Sequence, residues 1–177
     1  TGGTVNVNIG STIDYNATTD QAITSSSTLS GTAPYYNIAF SGSGIKTPGS
    51  AVKVDAAGSV TIAGTPVVDF SSKNLGLTSD NSTLFTMDGG RLKLGTGETL
   101  PLMNGTYNLT GGVVEYNGTG SQTIRSKSYQ NIEVSGSNVS NSSGNITLNS
   151  NGTFAIKNDG AFSINDNTIL GMDGSAS

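Results

Sequence analysis

Apolar side chains recur along this chain in short alternating runs: VKV at Val52, VTI at Val60, VVDF at Val67, LGL at Leu75, LFTM at Leu84, RLKL at Arg91, LPLM at Leu100 and YNL at Tyr107. Alternation with a period of two marks a strand with one buried face, so Val52 with Val54 and Leu92 with Leu94 point inward. Gly, Asn, Asp and Ser fill the gaps as turns. No stretch carries the helical period, and no substantial helix is expected. Runs begin about eight residues apart, so three strands take about 24 residues, the size of one coil of a parallel β-helix. Val52, Leu75, Leu100, Ile124 and Ile146 follow one another at nearly this spacing and make a candidate column of stacked aliphatic side chains. Seven coils and a rod about 34 Å long follow at about 4.8 Å per coil. The alternative is a pair of tandem immunoglobulin-like sandwiches, which these three- and four-residue strands suit poorly.

The chain also repeats itself at longer range. YYNIAFSGS from Tyr35 returns as YQNIEVSGS from Tyr129, an offset of 94, and AVKVDAAGSVTI from Ala51 falls on NITLNSNGTFAI from Asn145 at the same offset. IDYNATTDQAI from Ile13 matches VEYNGTGSQTI from Val114 at an offset of 101, and TLFTMDG from Thr83 matches TILGMDG from Thr168 at 85. Order is kept while spacing drifts, as in stacked arrays whose turns tolerate insertions. The expectation is one continuous repeat segment, 1–177, with copies at 1–110 and 111–177, the second incomplete, and with the long repeat close to four coils. The end residues are of interior type, so the segment is expected to continue into further coils of a larger parent and, alone, to associate end to end.

Composition narrows the function. Charged residues make up 11% of the chain and the net charge is -4; the six Lys and two Arg stand singly, which argues against a nucleic-acid partner. Cys is absent, so there is no disulfide or thiolate site, and no apolar run is long enough to suggest a membrane span.

GGVVEYNGTGSQTI followed by YQNIEVSGS resembles, over Gly111 to Gly136, a repeat of very large secreted surface proteins of the Bacteroidota, including gliding-motility adhesins. The earlier copy departs from it, with NATTD in place of NGTGS and seven extra residues between Ile23 and Tyr35. The resemblance implies export by type IX secretion and display on the bacterial cell surface. Adjoining repeats of the same chain and external surfaces or polysaccharides would then be its partners.

Candidate chemistry is sparse. Without His, the commonest general base and the His-based metal motifs are gone. A polysaccharide-cleaving β-helix would need clustered carboxylates, or carboxylates with Lys or Arg; the nearest are Asp88 with Arg91 and Lys93, and Asp159 with Asp166. Asp88 and Asp173 read as equivalent turn residues in MDG. Oxygen-rich turns at Ser79 and Asn165 make calcium conceivable, without a calcium-binding motif. Tyr15 and Tyr116, like Tyr35 and Tyr129, recur at equivalent positions, which favours packing over sugar stacking. The sequence therefore assigns no catalytic or cofactor residue and reads as a non-enzymatic stalk or filament segment of a surface adhesin. A glycan-binding or glycan-cleaving β-helix is the alternative.

Overall fold

The computed structural model describes residues 7–25, 35–73, 75–77, 84–97, 100, 106–141, 144–158, 160–164 and 170–172. They form seventeen strands and no helix: β1 Thr12–Tyr15, β2 Gln21–Ile23, β3 Tyr35–Phe40, β4 Ile45–Pro48, β5 Val52–Ile62, β6 Val67–Phe70, β7 Leu75–Leu77, β8 Leu84–Met87, β9 Arg91–Leu94, β10 Tyr107–Leu109, β11 Val113–Tyr116, β12 Gln122–Ile124, β13 Ser128–Val134, β14 Val139–Asn141, β15 Ile146–Ile156, β16 Phe162–Ser163 and β17 Leu170–Met172. Every pairing among these strands is parallel. Parallel neighbours cannot be joined by a hairpin, which removes the sandwich alternative and leaves a β-solenoid of about six turns.

Gln21, Lys46, Val68, Leu92, Val114, Ile132 and Phe154 are successive register partners, with the longest step from Gln21 to Lys46 and the shortest from Val114 to Ile132. These six steps raise the chain by about 29 Å. The sequence expectation of seven coils divided the whole length by one constant coil, whereas the described residues leave out both ends of the chain.

Each turn has three faces. β1, β3, the second half of β5, β8 and β10 stack on the first, and β2, β4, β6, β9 and β11 on the second. The third holds the first half of β5 with β7 and, further along, β12, β14 and β16. Inward positions alternate as the pattern predicts: Ile38, Val60 and Phe85 line one inner file and Phe40, Ile62 and Met87 the next, all fully buried.

Two eleven-residue strands turn a corner without breaking. In β5 the register with β3 jumps from Tyr35–Val54 to Asn37–Ser59, and in β15 the register with β13 jumps from Tyr129–Leu148 to Asn131–Thr153. Three extra residues are thus accommodated at each corner. VKV and VTI, two strands by alternation, are one bent strand. A Cβ on Gly58 would run into the Tyr36 carbonyl oxygen, and one on Gly152 into that of Gln130, so only glycine lets the corner pack.

The sequence copies are structural copies. β1–β3–β5 reappears as β11–β13–β15 with the same registers, Ile13–Ile38 answering to Val114–Ile132 and Tyr35–Val54 to Tyr129–Leu148. The copies do not share a face, however. Four steps carry Asp14 through Ala39, Thr61 and Thr86 to Asn108, while the counterpart of Asp14, Glu115, lies one strand further on, in β11. The unit is therefore four turns plus one face, not four turns.

Two expected alignments fail. Val52 does pair with Leu75, but Ile124 pairs with Asn141, well short of Ile146, and Ile146 pairs with Leu170. A constant step overshoots where the second copy shortens its turns. β17 pairs with the first half of β15 as β7 pairs with the first half of β5, so Leu170 answers to Leu75 rather than to Phe85. The match of Phe85 with Leu170 is therefore not a structural equivalence, and Asp173 lies outside the described residues.

Candidate functional site

Polar side chains that cross from rung to rung are the most elaborate chemistry in the molecule. In the first copy, Thr24 N–H donates to the Tyr15 hydroxyl at 2.9 Å, the Tyr15 and Tyr35 hydroxyls are hydrogen-bonded at 2.6 Å, and Tyr35 O–H donates to the Thr24 carbonyl at 2.5 Å. The second copy repeats the pair: Tyr116 and Tyr129 hydroxyls stand 3.4 Å apart, and Tyr129 O–H donates to the Arg125 carbonyl at 3.0 Å. Tyr35, Tyr116 and Tyr129 are fully buried, which rules them out as a sugar-stacking platform. Burial raises the pKa of all three phenols, in Tyr35 with help from the Tyr15 hydrogen bond and in Tyr129 from Tyr116.

The Asn of each Tyr-x-Asn ties three rungs together. Asn131 donates from Nδ2 to the Gly112 carbonyl at 2.7 Å and accepts on Oδ1 from Thr153 N–H at 3.1 Å and Thr153 Oγ1 at 2.9 Å. Asn37 does the same more weakly, with 3.4 Å to the Gly10 carbonyl and 2.9 Å from Ser59 Oγ. The Gln of QAI and QTI closes a turn, accepting from Ala17 N–H at 2.9 Å through Gln21 and from Gly118 N–H at 2.6 Å through Gln122. Gln122 also donates from Nε2 to the Leu94 and Gly95 carbonyls, both at 2.7 Å. Ser41 Oγ donates to the Asp14 carboxylate and, equivalently, Ser135 Oγ to that of Glu115. The residues that recur in the repeated phrases are thus the ones that join rungs.

Charged candidates are placed differently from expectation. Asp88 is exposed in the turn after β8, its N–H bonded to the Ile62 carbonyl, and makes no ion pair among the described residues. Arg91 instead reaches along the second face to Glu115, 2.8 Å, and Glu133, 3.1 Å, on the next two rungs. Burial opposes the charge of Arg91, but its bonds to the two glutamates prevail and raise its pKa. Lys93 lies in register between Asp69 and Glu115. Asp159, Asp166, Asp173, Asn165 and Ser79 lie outside the described residues. Among the described residues no three acidic side chains are grouped to hold a metal.

Glu115 and Glu133 were not singled out from sequence. Each sits at the outward position of an alternating strand, VEY and IEV, but their pairing becomes visible only with the short step between Val114 and Ile132. Two carboxylates on neighbouring rungs could do acid–base work on a sugar. Here one guanidinium occupies both, so the cluster acts as a clamp across three rungs.

Lys46, one of the singly scattered basic residues, is fully buried. Its ammonium donates to the Ala17 carbonyl at 2.7 Å, the Thr19 carbonyl at 3.3 Å and Gln21 Oε1 at 2.8 Å, so acceptors rather than an anion satisfy it. It takes an inward position of IKTP, paired in register with Gln21, while the apolar Ile45 beside it is exposed, so alternation gave no signal for its burial. Beside it, a shallow depression of about 390 Å³ is lined by Asp20, Ala22, Ile45, Thr47 and Pro48. Its carboxylate, Asp20, accepts from Ile45 N–H at 2.8 Å through Oδ1.

No described helix is long and apolar enough to cross a membrane. Comparison with known proteins finds no matching family model, no matching curated protein and no matching solved structure.

Proposed function

We propose that this chain is a structural stalk or filament segment of a bacterial cell-surface adhesin, exported by type IX secretion and without enzymatic activity. The observation that carries the reading is the duplicated rung-joining network: the Tyr pair, the bridging Asn, the turn Gln and the corner Gly all recur after four turns and one face. In stacked repeats each rung meets only its neighbours, so side-chain bonds between rungs resist slippage and bending while length grows with copy number. Added copies would lengthen the rod by about 21 Å each, at about 4.8 Å per rung. The rod would hold an adhesive region away from the cell, with external surfaces or polysaccharides as its partners and no nucleic acid.

Electron microscopy of chains carrying different numbers of the unit tests this reading, with a rod length that rises linearly with copy number as the expected result. A length that does not grow would overturn it, and release of new sugar ends from a polysaccharide by the isolated segment would replace it with the glycan-cleaving alternative. Retention of the isolated segment on a glycan surface would favour a glycan-binding module.

A further inference from the structure

We propose that the Asn151–Gly152 peptide is a site of spontaneous backbone self-modification, a deamidation to which the other described Asn-Gly pair, Asn117–Gly118, is made resistant by its hydrogen bonds. The chemistry needs only water. The Gly152 amide nitrogen gives up its proton and attacks Asn151 Cγ; the new C–N bond closes a five-membered succinimide and ammonia leaves with the proton. Hydrolysis of either imide carbonyl then gives aspartate or isoaspartate. Glycine at the following position carries no side chain over the nucleophile, so the surroundings decide the rate, with Gly152 buried and Asn151 exposed at the corner.

Those surroundings differ sharply at the two sites. Asn151 is exposed, lies at φ 60° and has no side-chain hydrogen bond among the described residues. It sits within the corner of β15, between the register partners Leu148 and Thr153, where the ladder with β13 is interrupted. Asn117 is held at both reacting ends: Nδ2 donates to Ser71 Oγ at 2.9 Å, and Gly118 N–H donates to Gln122 Oε1 at 2.6 Å. Holding the amide and the nucleophile with a hydrogen bond each slows closure by about tenfold or more. The first copy lacks the site, because Ala57–Gly58 occupies the equivalent corner. An isoaspartate lengthens the backbone by one methylene and adds a negative charge.

The test is peptide mapping by mass spectrometry of the intact chain aged at mildly alkaline pH, folded and in urea, with isoaspartyl methyltransferase labelling to identify the product. The folded chain is expected to deamidate at Asn151 about tenfold faster than at Asn117, and the two rates should converge in urea. Ser71→Ala, which releases the Asn117 amide, should raise the rate at Asn117 alone. Equal folded rates, a faster Asn117, or an Asn151 that stays intact while the urea-unfolded chain reacts would overturn the proposal.

Discussion

Replacing Asn131 with Ala removes one side chain that holds three rungs, and the same replacement at Asn37 supplies the internal control. Asn131 makes three well-formed hydrogen bonds, 2.7 Å to the Gly112 carbonyl and 3.1 and 2.9 Å from Thr153. Asn37 makes one of comparable quality, 2.9 Å from Ser59, and a stretched contact of 3.4 Å to Gly10. At about 1 kcal/mol net per bond, partly offset where Thr153 is open to water, Asn131→Ala should destabilise by about 2–3 kcal/mol and Asn37→Ala by about 1 kcal/mol. Urea unfolding followed by circular dichroism reads the difference, and hydrogen exchange at the Thr153 amide reports the lost bond locally. Equal losses at the two positions, or an unchanged Thr153 amide, would refute the view that these bonds rather than backbone pairing distinguish the two corners.

Three further outcomes follow from the same geometry. Tyr35, Tyr116 and Tyr129 have raised pKa values in the fold, so the folded state keeps protons that the unfolded chain gives up above about pH 10. Stability should be full below that pH and fall as pH rises beyond it, and ultraviolet titration should show these phenols ionising only as the chain unfolds; free titration of all six tyrosines in the folded state would contradict this. Gly58→Ala drives a Cβ deeper into the Tyr36 carbonyl oxygen than Gly152→Ala does into that of Gln130, so both should lower the melting temperature and Gly58→Ala more; tolerance of Gly58→Ala would mean the corner is not tightly packed. Arg91→Met leaves Glu115 and Glu133 without their cation and should destabilise by about 1–2 kcal/mol, the part-exposed guanidinium being partly screened by water, with much of the loss recovered on adding Glu115→Gln and Glu133→Gln; no recovery in the triple variant would assign the loss to packing of the Arg91 stem.

The architecture was legible because alternation is a local property. Val52, Val54, Leu92 and Leu94 are inward as the pattern requires, and the twin phrases at Tyr35 and Tyr129 do mark equivalent strands. Register was less legible, because it depends on turn lengths that the apolar pattern does not record. The step from β12 to β14 falls well short of the expected coil, enough to move Ile146 off the column that holds Ile124. Charge was read least well. A Lys inside the core and an Arg shared by two Glu from different rungs are long-range facts, and an isolated charge in a polar sequence looks like solvated surface. The Tyr pair was readable as packing because both members recur; that the partners are each other needed the fold.

The central claim, that parallel rungs stack as a solenoid whose turns shorten in the second copy, rests on the register there. The chain has no native Cys, so engineered pairs report register without interference. Thr123 stands beside Ser140 on the next rung, whereas a constant coil of about 24 residues would set it beside Thr147. Adjacent rungs are close enough for a disulfide and offset ones are not. Oxidation of Thr123→Cys/Ser140→Cys should close a disulfide rapidly and leave the fold intact, while Thr123→Cys/Thr147→Cys should remain reduced. The reverse pattern would contradict the account.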